Sequence, residues 1–354
     1  MKKFRKIKII SIILIIILLI YIIGGFVITN ITLKQSFARV DNYNEYYQFT
    51  TIHYSDYEDV LPRTPISFMS GKNKLQGYIF GENNSKGLVV VVHGFGGGWE
   101  DYSPDVKFFV DNGYLVLAYS GTGVFESEGK SRVNFSQSSV DLRNCLEYIN
   151  NDSSLNSLPL TLFGHSQGGF AVCDVLNYDE AKNVDFVVSV SGVAKASGIV
   201  DAAAEEMMGN SYALLKPFLV LSDREDFSGK TDSITGINNS DAKILLFQGT
   251  DDTVVPADKY AITHFKDEIT NPNCKIAMKS DEWNSEHMNI LESKNAYYYN
   301  KDFEDGYKEY LKNEGKERSS NIALEYYREN GYDKFKGHEI DEMLFEQIVE
   351  FIQA

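Results

Sequence analysis

Two different hydrophobic patterns follow one another along the chain. From Ile9 to Ile28 it reads IISIILIIILLIYIIGGFVI, with no charge and only Ser11, Tyr21, Gly24 and Gly25 breaking the aliphatic run. At roughly 1.5 Å per residue, a helix of about twenty such residues crosses the ~30 Å hydrocarbon layer of a bilayer. The run is too long and too uniformly apolar for an amphipathic core helix. It also exceeds the ~7–15 apolar residues of a secretory signal and has no Ala-x-Ala site after it. The pattern therefore predicts a transmembrane signal-anchor over 9–29, with a cleaved signal peptide as the alternative. Residues 30–62 are polar and tyrosine-rich without a clear period, and read as a stalk or linker.

After Pro62 the pattern changes to short β-rich runs separated by longer polar or amphipathic stretches, which is the signature of strand-helix-strand units. Strands are expected at 66–70, 75–80, 88–92, 114–119, 158–163, 186–190, 243–247 and 274–278. Stretches such as LVVVV and YLVLAY are apolar at every position, as strands covered on both faces of a parallel sheet must be. Helices are expected at 101–112, 138–151, 168–178, 256–270 and 340–352. Two segments exceed an ordinary connection. One, 193–241, has helix-forming composition at its start and reads as a lid insertion. The other, 292–337, is rich in Tyr, Lys, Glu and Asn and reads as a C-terminal helical insertion. Residues 63–354 thus form one α/β domain with helices on both faces of a mostly parallel sheet.

Charge sharpens this division. The chain carries 34 basic and 50 acidic side chains for a net charge of -16. Five of those cations (Lys2, Lys3, Arg5, Lys6, Lys8) lie in the first eight residues with no acid, so the rest holds 34 less 5 cations against 50 acids, a net of -21. A basic tip over 1–8 before an apolar segment keeps the N-terminus cytoplasmic and sends the remainder outward. The acidic body would repel a polyphosphate, which excludes nucleic acid as a partner. An aromatic content of 13% with 7 prolines supplies a core that a disordered chain lacks. Cys145, Cys173 and Cys274 are too few and too widely spaced for a disulfide framework or a zinc site. No metal-ligand cluster or phosphate loop is present in the sequence, so no cofactor is implied.

Gly164-His165-Ser166-Gln167-Gly168-Gly169 follows directly on an apolar strand and fits G-x-S-x-G. Glycines two before and two after the serine suit a strand-to-helix turn too tight for side chains, which lifts the serine hydroxyl above the sheet edge. Roughly seventy residues upstream, His93-Gly94-Phe95-Gly96-Gly97-Gly98 ends the LVVVV strand, a loop whose main chain approaches closely enough to donate N–H groups to an oxyanion. With these motifs and this strand spacing, residues 63–354 resemble the α/β-hydrolase family. The resemblance implies an eight-stranded sheet, a Ser-Asp-His order of triad residues, and an oxyanion hole from the N–H groups of Phe95 and Gln167, with Gly96 replacing Phe95 if the loop is shifted by one.

The triad partners follow from the same resemblance. Gly249-Thr250-Asp251-Asp252-Thr253-Val254-Val255-Pro256 resembles the family's G-x-x-D-x-x-V-P turn and places the acid at Asp252, leaving Asp251 as a solvated neighbour or turn residue. Of six histidines, His93 and His165 belong to the two backbone motifs, His53 precedes the domain, and His264 falls on the expected helix after the acid. His287, 35 residues past Asp252, stands where the family delivers its base. His338, in Lys336-Gly337-His338-Glu339, is the competitor and otherwise reads as a surface residue at a helix start. One departure is that Tyr119-Ser120-Gly121-Thr122-Gly123 lacks the Asp and Arg that many relatives carry before this Gly-x-Gly, which puts the packing of that loop in question.

The expectation is a membrane-anchored, extracytoplasmic serine hydrolase that cleaves a carboxylic ester or amide through Ser166, His287 and Asp252. Its substrate would be a small ester or a short peptide. Aminopeptidase-type peptidase and acyltransferase are the alternatives within the enzyme class, and Glu205-Glu206 could grip a peptide's amino terminus. A catalytically silent binding protein on the same scaffold is the alternative outside it. The tyrosines at 297–299 and 326–327 are expected to pack helices rather than to bind carbohydrate.

Overall fold

The computed structural model describes residues 2–230 and 232–354, with the side chains of Lys2 and Lys3 left out; Met1 of the basic tip and Thr231 of the expected lid lie outside the described residues. Eight strands form one sheet: β1 (Arg63–Ser70), β2 (Asn73–Phe80), β3 (Leu88–Val92), β4 (Leu115–Tyr119), β5 (Leu160–His165), β6 (Phe186–Val190), β7 (Lys243–Gly249) and β8 (Cys274–Lys279). Their order is β1-β2-β4-β3-β5-β6-β7-β8. β1 and β2 pair as an antiparallel hairpin, β2 runs antiparallel to β4, and from β4 to β8 every pairing is parallel. Every expected strand overlaps an observed one; the uninterrupted apolar runs of β3, β4 and β5 are buried on both faces, whereas the edge strands β1 and β8 are largely exposed.

The two faces carry separate cores. On one, Leu142, Leu146 and Ile149 from the helix Gln137–Asn150 pack with Val172 from Gln167–Asp174 and with Ile234 and Ile237 from Ser233–Asn239. On the other, Val106 and Phe109 from Ser103–Asp111 meet Leu344, Phe345 and Ile348 from the C-terminal helix Glu342–Gln353. The chain leaves β3 toward β4 on one side and returns to β5 on the other. This reversal opens a crevice beyond the carboxyl ends of β3 and β5, the usual ligand position in open α/β sheets. Both glycine-rich motifs end there.

Four expectations change. The N-terminal helix does not stop near residue 29 but runs Lys2–Ser36, and Phe4–Ser36, whose most apolar 18-residue stretch has a mean hydropathy of 3.1, is long and apolar enough to cross a membrane. Residues 37–62 do not form a stalk. Phe37, Ile52, Tyr54 and Leu61 are buried, and Arg39 donates to the carbonyls of Phe125, Ser127 and Gly129. Hydrophobic residues spaced without a period gave no helical or strand signal there, yet they cover a flank of the domain. The helix expected at 256–270 is replaced by turns and a 3-10 segment, Ile262–Glu268, because tertiary pairing captures its donors: the N–H of Ile262 goes to Gly192. In the expected lid, Ser233–Asn239 belongs to the sheet's core, so only the helical hairpin Ala196–Met208 and Tyr212–Ser222 stands above the crevice.

The segment 292–337 forms helices Lys294–Glu314, Ser320–Glu329 and Lys334–Gly337. Most of its tyrosines pack: Tyr307 and Tyr327 are buried together with Tyr46 and Phe49 from the N-terminal segment, whereas Tyr298 is exposed.

Candidate active site

The turn from β5 into the helix Gln167–Asp174 is as tight as its sequence demands. Ser166 has φ 57° and ψ -116°, a left-handed backbone that a serine adopts only under constraint from its surroundings. A Cβ on Gly164 would stand 2.3 Å from the carbonyl oxygen of Gly168, and one on Gly168 would stand 2.0 Å from that of Val92. A side chain at Gly164 would open the turn itself, and one at Gly168 would push it off β3. The N–H of Ser166 donates to the carbonyl of Val190 at 2.8 Å, which ties the strained residue to β6.

Three residues from three separate loops converge on this turn. His287 Nε2 lies 2.9 Å from Ser166 Oγ, and His287 Nδ1 lies 2.7 Å from Asp252 Oδ2. Asp252 sits in the loop after β7 with its carboxylate fully shielded from solvent. It accepts the N–H groups of Val254 at 3.0 Å and Val255 at 2.7 Å on Oδ1, and the Gln248 amide at 3.0 Å on Oδ2. Burial would raise its pKa, but the hydrogen bond and charge of His287, with the Val255 N–H and the Gln248 amide, outweigh burial and hold it below the ordinary carboxylate value. A carboxylate kept ionised against an imidazole Nδ1–H leaves Nε2 bare and basic toward the serine. Asp251 is exposed and points away from this network, its N–H bound to the carbonyl of Ser285.

His338 does not reach the crevice; its Nε2 meets the carbonyl of Thr50 at 3.0 Å, so it is a partly buried packing residue rather than a surface cap. Phe95 and Gln167 border Ser166 as expected from their positions. Among the described residues neither main-chain N–H is taken by a hydrogen bond, whereas the neighbouring Gly94 N–H is committed to the Tyr102 hydroxyl. The loop 119–129 that departs from the usual pattern is held by Asp141, which accepts from Thr122 N–H at 2.6 Å, Thr122 Oγ1 at 2.7 Å and Ser70 Oγ at 2.6 Å, and from outside by Arg39.

Sequence reasoning missed Gln248, Tyr102 and the bridging role of His165. His165 Nε2 donates to the carbonyl of His287 at 3.0 Å, and its Nδ1 accepts from the Tyr102 hydroxyl at 2.9 Å, which in turn accepts the Gly94 N–H at 3.0 Å. These donor and acceptor roles follow from the partners, since a carbonyl can only accept. The chain of bonds joins the loop after β3, the serine turn and the histidine loop. Burial, then the nearby His287, lowers the His165 pKa from 6.5 to about 3, which keeps the ring neutral and Nδ1 free to accept. No periodicity or motif marks Tyr102, and only its position in space does.

Two consequences follow. Tyr102→Phe leaves a buried acceptor without its donor and should cost about 1–3 kcal/mol in urea unfolding. Because the folded pKa of His165 is depressed, its contribution to stability is complete above the ordinary value of 6.5 and is lost as pH falls toward about 3. Urea midpoints measured from pH 7 to pH 4 should therefore decline, and His165→Gln should flatten that decline.

Ser166 opens into a cavity of about 600 Å³, within the ~300–1,000 Å³ typical of small-molecule sites. Phe95, Phe135 and Ile199 line it near the serine, Ala203 covers it from the helical hairpin, and Leu33 and Phe37 close one wall from the end of the N-terminal helix. Glu205, at its rim, is paired with Lys259 at 2.5 Å and Tyr260 at 3.2 Å. Among the described residues no group of His, Cys, Asp and Glu is arranged to hold a metal ion.

The family model described as serine aminopeptidase, S33, matches residues 83–233, which contain both glycine motifs and Ser166. No curated protein matches the chain. Among solved structures, an esterase from Pyrococcus furiosus is 18% identical with a TM-score of 0.53, over 78% of this chain and 95% of its own. An α/β hydrolase from a Penicillium species is 17% identical with a TM-score of 0.49, over 64% of this chain and 92% of its own. An acylaminoacyl peptidase from Pyrococcus horikoshii is 15% identical with a TM-score of 0.48, over 64% of this chain and 38% of its own. The first likeness is one of fold.

Proposed function

We propose that this α/β-hydrolase is a serine hydrolase of carboxylic esters, held to a membrane by its N-terminal helix with the catalytic domain on the extracytoplasmic side. The observation that carries the reading is the unbroken run of hydrogen bonds from Asp252 through His287 to Ser166. His287 takes the hydroxyl proton as Ser166 Oγ adds to the acyl carbon, then hands it to the departing alcohol. Asp252 fixes the imidazole tautomer and balances the charge that forms on it. The N–H groups of Phe95 and Gln167 would receive the oxyanion, a contribution worth on the order of 3 kcal/mol for each donor. Water activated by His287 then releases the acid and frees Oγ.

Placement outside the cell rests on the five cations before the apolar helix. The family match and the Glu205-Glu206 pair favour a second reading, an aminopeptidase-type enzyme. Against it, Glu205 is already neutralised by Lys259, and the hydrogen bond and charge of that lysine lower its pKa. A fluorophosphonate probe should modify Ser166, identified by peptide mass mapping, and the enzyme should turn over p-nitrophenyl butyrate far faster than an aminoacyl p-nitroanilide. Modification at another residue would overturn the triad, and faster anilide turnover would favour the peptidase.

A further inference from the structure

The apolar helix and the crevice are not separate parts of the molecule. The second helix of the hairpin, Tyr212–Ser222, lies alongside the N-terminal helix: Tyr21 Oη donates to the carbonyl of Leu214 at 2.7 Å, the rings of Tyr21 and Phe26 each stand 5.1 Å from that of Phe218, and Asn30 Nδ2 reaches Ser222 Oγ at 3.4 Å. The contacts advance together, 21 with 214, 26 with 218 and 30 with 222, so the two helices run side by side in the same direction for about two turns and a half. Gly25 explains itself here. A Cβ at that position would stand 2.3 Å from the Phe218 ring, so an aliphatic residue would pry the helices apart. Two of the four residues that interrupt the aliphatic run are therefore spent on this contact.

The level of the contact matters more than its existence. Residues 21–28 are the last eight of the twenty residues of the apolar run, and whatever packs along them shares their surroundings. The outward side of Tyr212–Ser222 suits an apolar medium: Leu214 is 61% exposed, Leu221 51% and Val220 37%, beside the exposed Ile23, Val27 and Ile28 of the N-terminal helix. Patches of this kind mark interaction surfaces. Its one cation, Lys216, is paired with Asp201 at 2.9 Å, and a lysine stem can carry its charge to the interface. The hairpin and Leu33 with Phe37 then enclose the cavity that ends at Ser166.

We infer that the hairpin helix Tyr212–Ser222 sits in the outer leaflet beside the end of the N-terminal helix, so that the Ser166 cavity is entered from the bilayer and its substrate is the acyl ester of a membrane-resident lipid. This rests on the serine hydrolase reading for its chemistry but on the helix packing for its placement. An acyl chain enters between apolar walls without crossing water, its ester carbonyl reaches Ser166, the ester C–O bond breaks as the Oγ–C bond forms, and the alcohol leaves with the proton carried by His287. Water cleaves the acyl-enzyme to a free fatty acid.

The full chain, reconstituted in phosphatidylglycerol vesicles, provides the test. A nitrobenzoxadiazole label on Leu221→Cys should be quenched several-fold more strongly by brominated lipids than the same label on Lys312→Cys, which lies exposed on the far helix Lys294–Glu314. Oleate should be released from the vesicles, and the double variant Leu214→Glu, Leu221→Glu should lower the ratio of oleate release to p-nitrophenyl butyrate turnover at least tenfold. Equal quenching at the two labels overturns the placement. Turnover of the soluble ester without oleate release overturns the lipid substrate and leaves the hydrolase reading standing. Strong quenching with no turnover of either ester overturns the hydrolase reading and leaves the placement standing.

Discussion

Ser166→Ala should lower kcat for p-nitrophenyl butyrate by about a million-fold, which is about 8 kcal/mol at 1.36 kcal/mol per tenfold step. The size of the loss follows from the way the site is built. Oγ is the only atom that the substitution removes, and it is the atom to which both the acyl carbon and His287 Nε2 must come. Asp252 and His287 keep their mutual bond and their own supports, so nothing nearby can substitute as nucleophile without moving a loop. The backbone at 166 keeps its positive φ with alanine as with serine, so thermal unfolding should change little while activity disappears. Stopped-flow measurement of the acylation burst, together with fluorophosphonate labelling, checks this directly. Retention of even one part in a hundred of the wild-type rate would show that the ester is attacked elsewhere.

Asp252→Asn should lower kcat by about ten-thousand-fold with only a small change in KM. The amide fits the same space, and its oxygen can still accept the N–H groups of Val254 and Val255. Its nitrogen would then stand where Oδ2 now receives both His287 and the Gln248 amide. A donor facing a donor is relieved when the imidazole moves its proton to Nε2, and that proton points at Ser166 and removes the base. The nitrogen-15 shifts of His287 should report the exchanged tautomer, a signature that simple destabilisation would not produce. A variant with normal kcat would mean that the carboxylate has no part in setting the tautomer.

The loop chemistry around these residues was largely legible in one dimension because it is enforced by local geometry. The serine turn needs glycine at 164 and 168 for reasons visible in the spacing alone, and the close approaches of 2.3 Å and 2.0 Å are the physical form of that requirement. Asp252 was separated from Asp251 by the resemblance to the family's G-x-x-D-x-x-V-P turn, and the backbone donors of Val254 and Val255 that hold its carboxylate appear only in the structure. The acid and base, however, were identified through resemblance, and so was the choice of His287 over His338. No local pattern distinguishes those two histidines; their distance from Ser166 does.

Other features could not have been read at all. Residues 37–62 look like a linker because their apolar positions have no period, yet Phe37, Ile52, Tyr54 and Leu61 are buried on the domain. The stretch 256–270 has helix-forming residues, yet the N–H of Ile262 is drawn into a bond with the carbonyl of Gly192. In both cases the long-range partner outweighs the local preference, and such a partner is invisible until the chain is folded.

What the sequence by itself determined is the set of features whose cause is local: an apolar helix long enough to span a bilayer, central strands solid enough to need cover on both faces, and two glycine turns at the ends of β3 and β5. What only the tertiary structure decided is how separated parts meet. It brings Ser166, Asp252 and His287 together, threads Tyr102 and His165 between three loops, and sets the hairpin helix against Tyr21, Gly25 and Phe26. The physical reason is the same throughout: backbone strain and hydrophobic runs act over a few residues, whereas hydrogen bonds and packing between residues dozens to hundreds of positions apart depend on a topology that no short stretch of sequence carries.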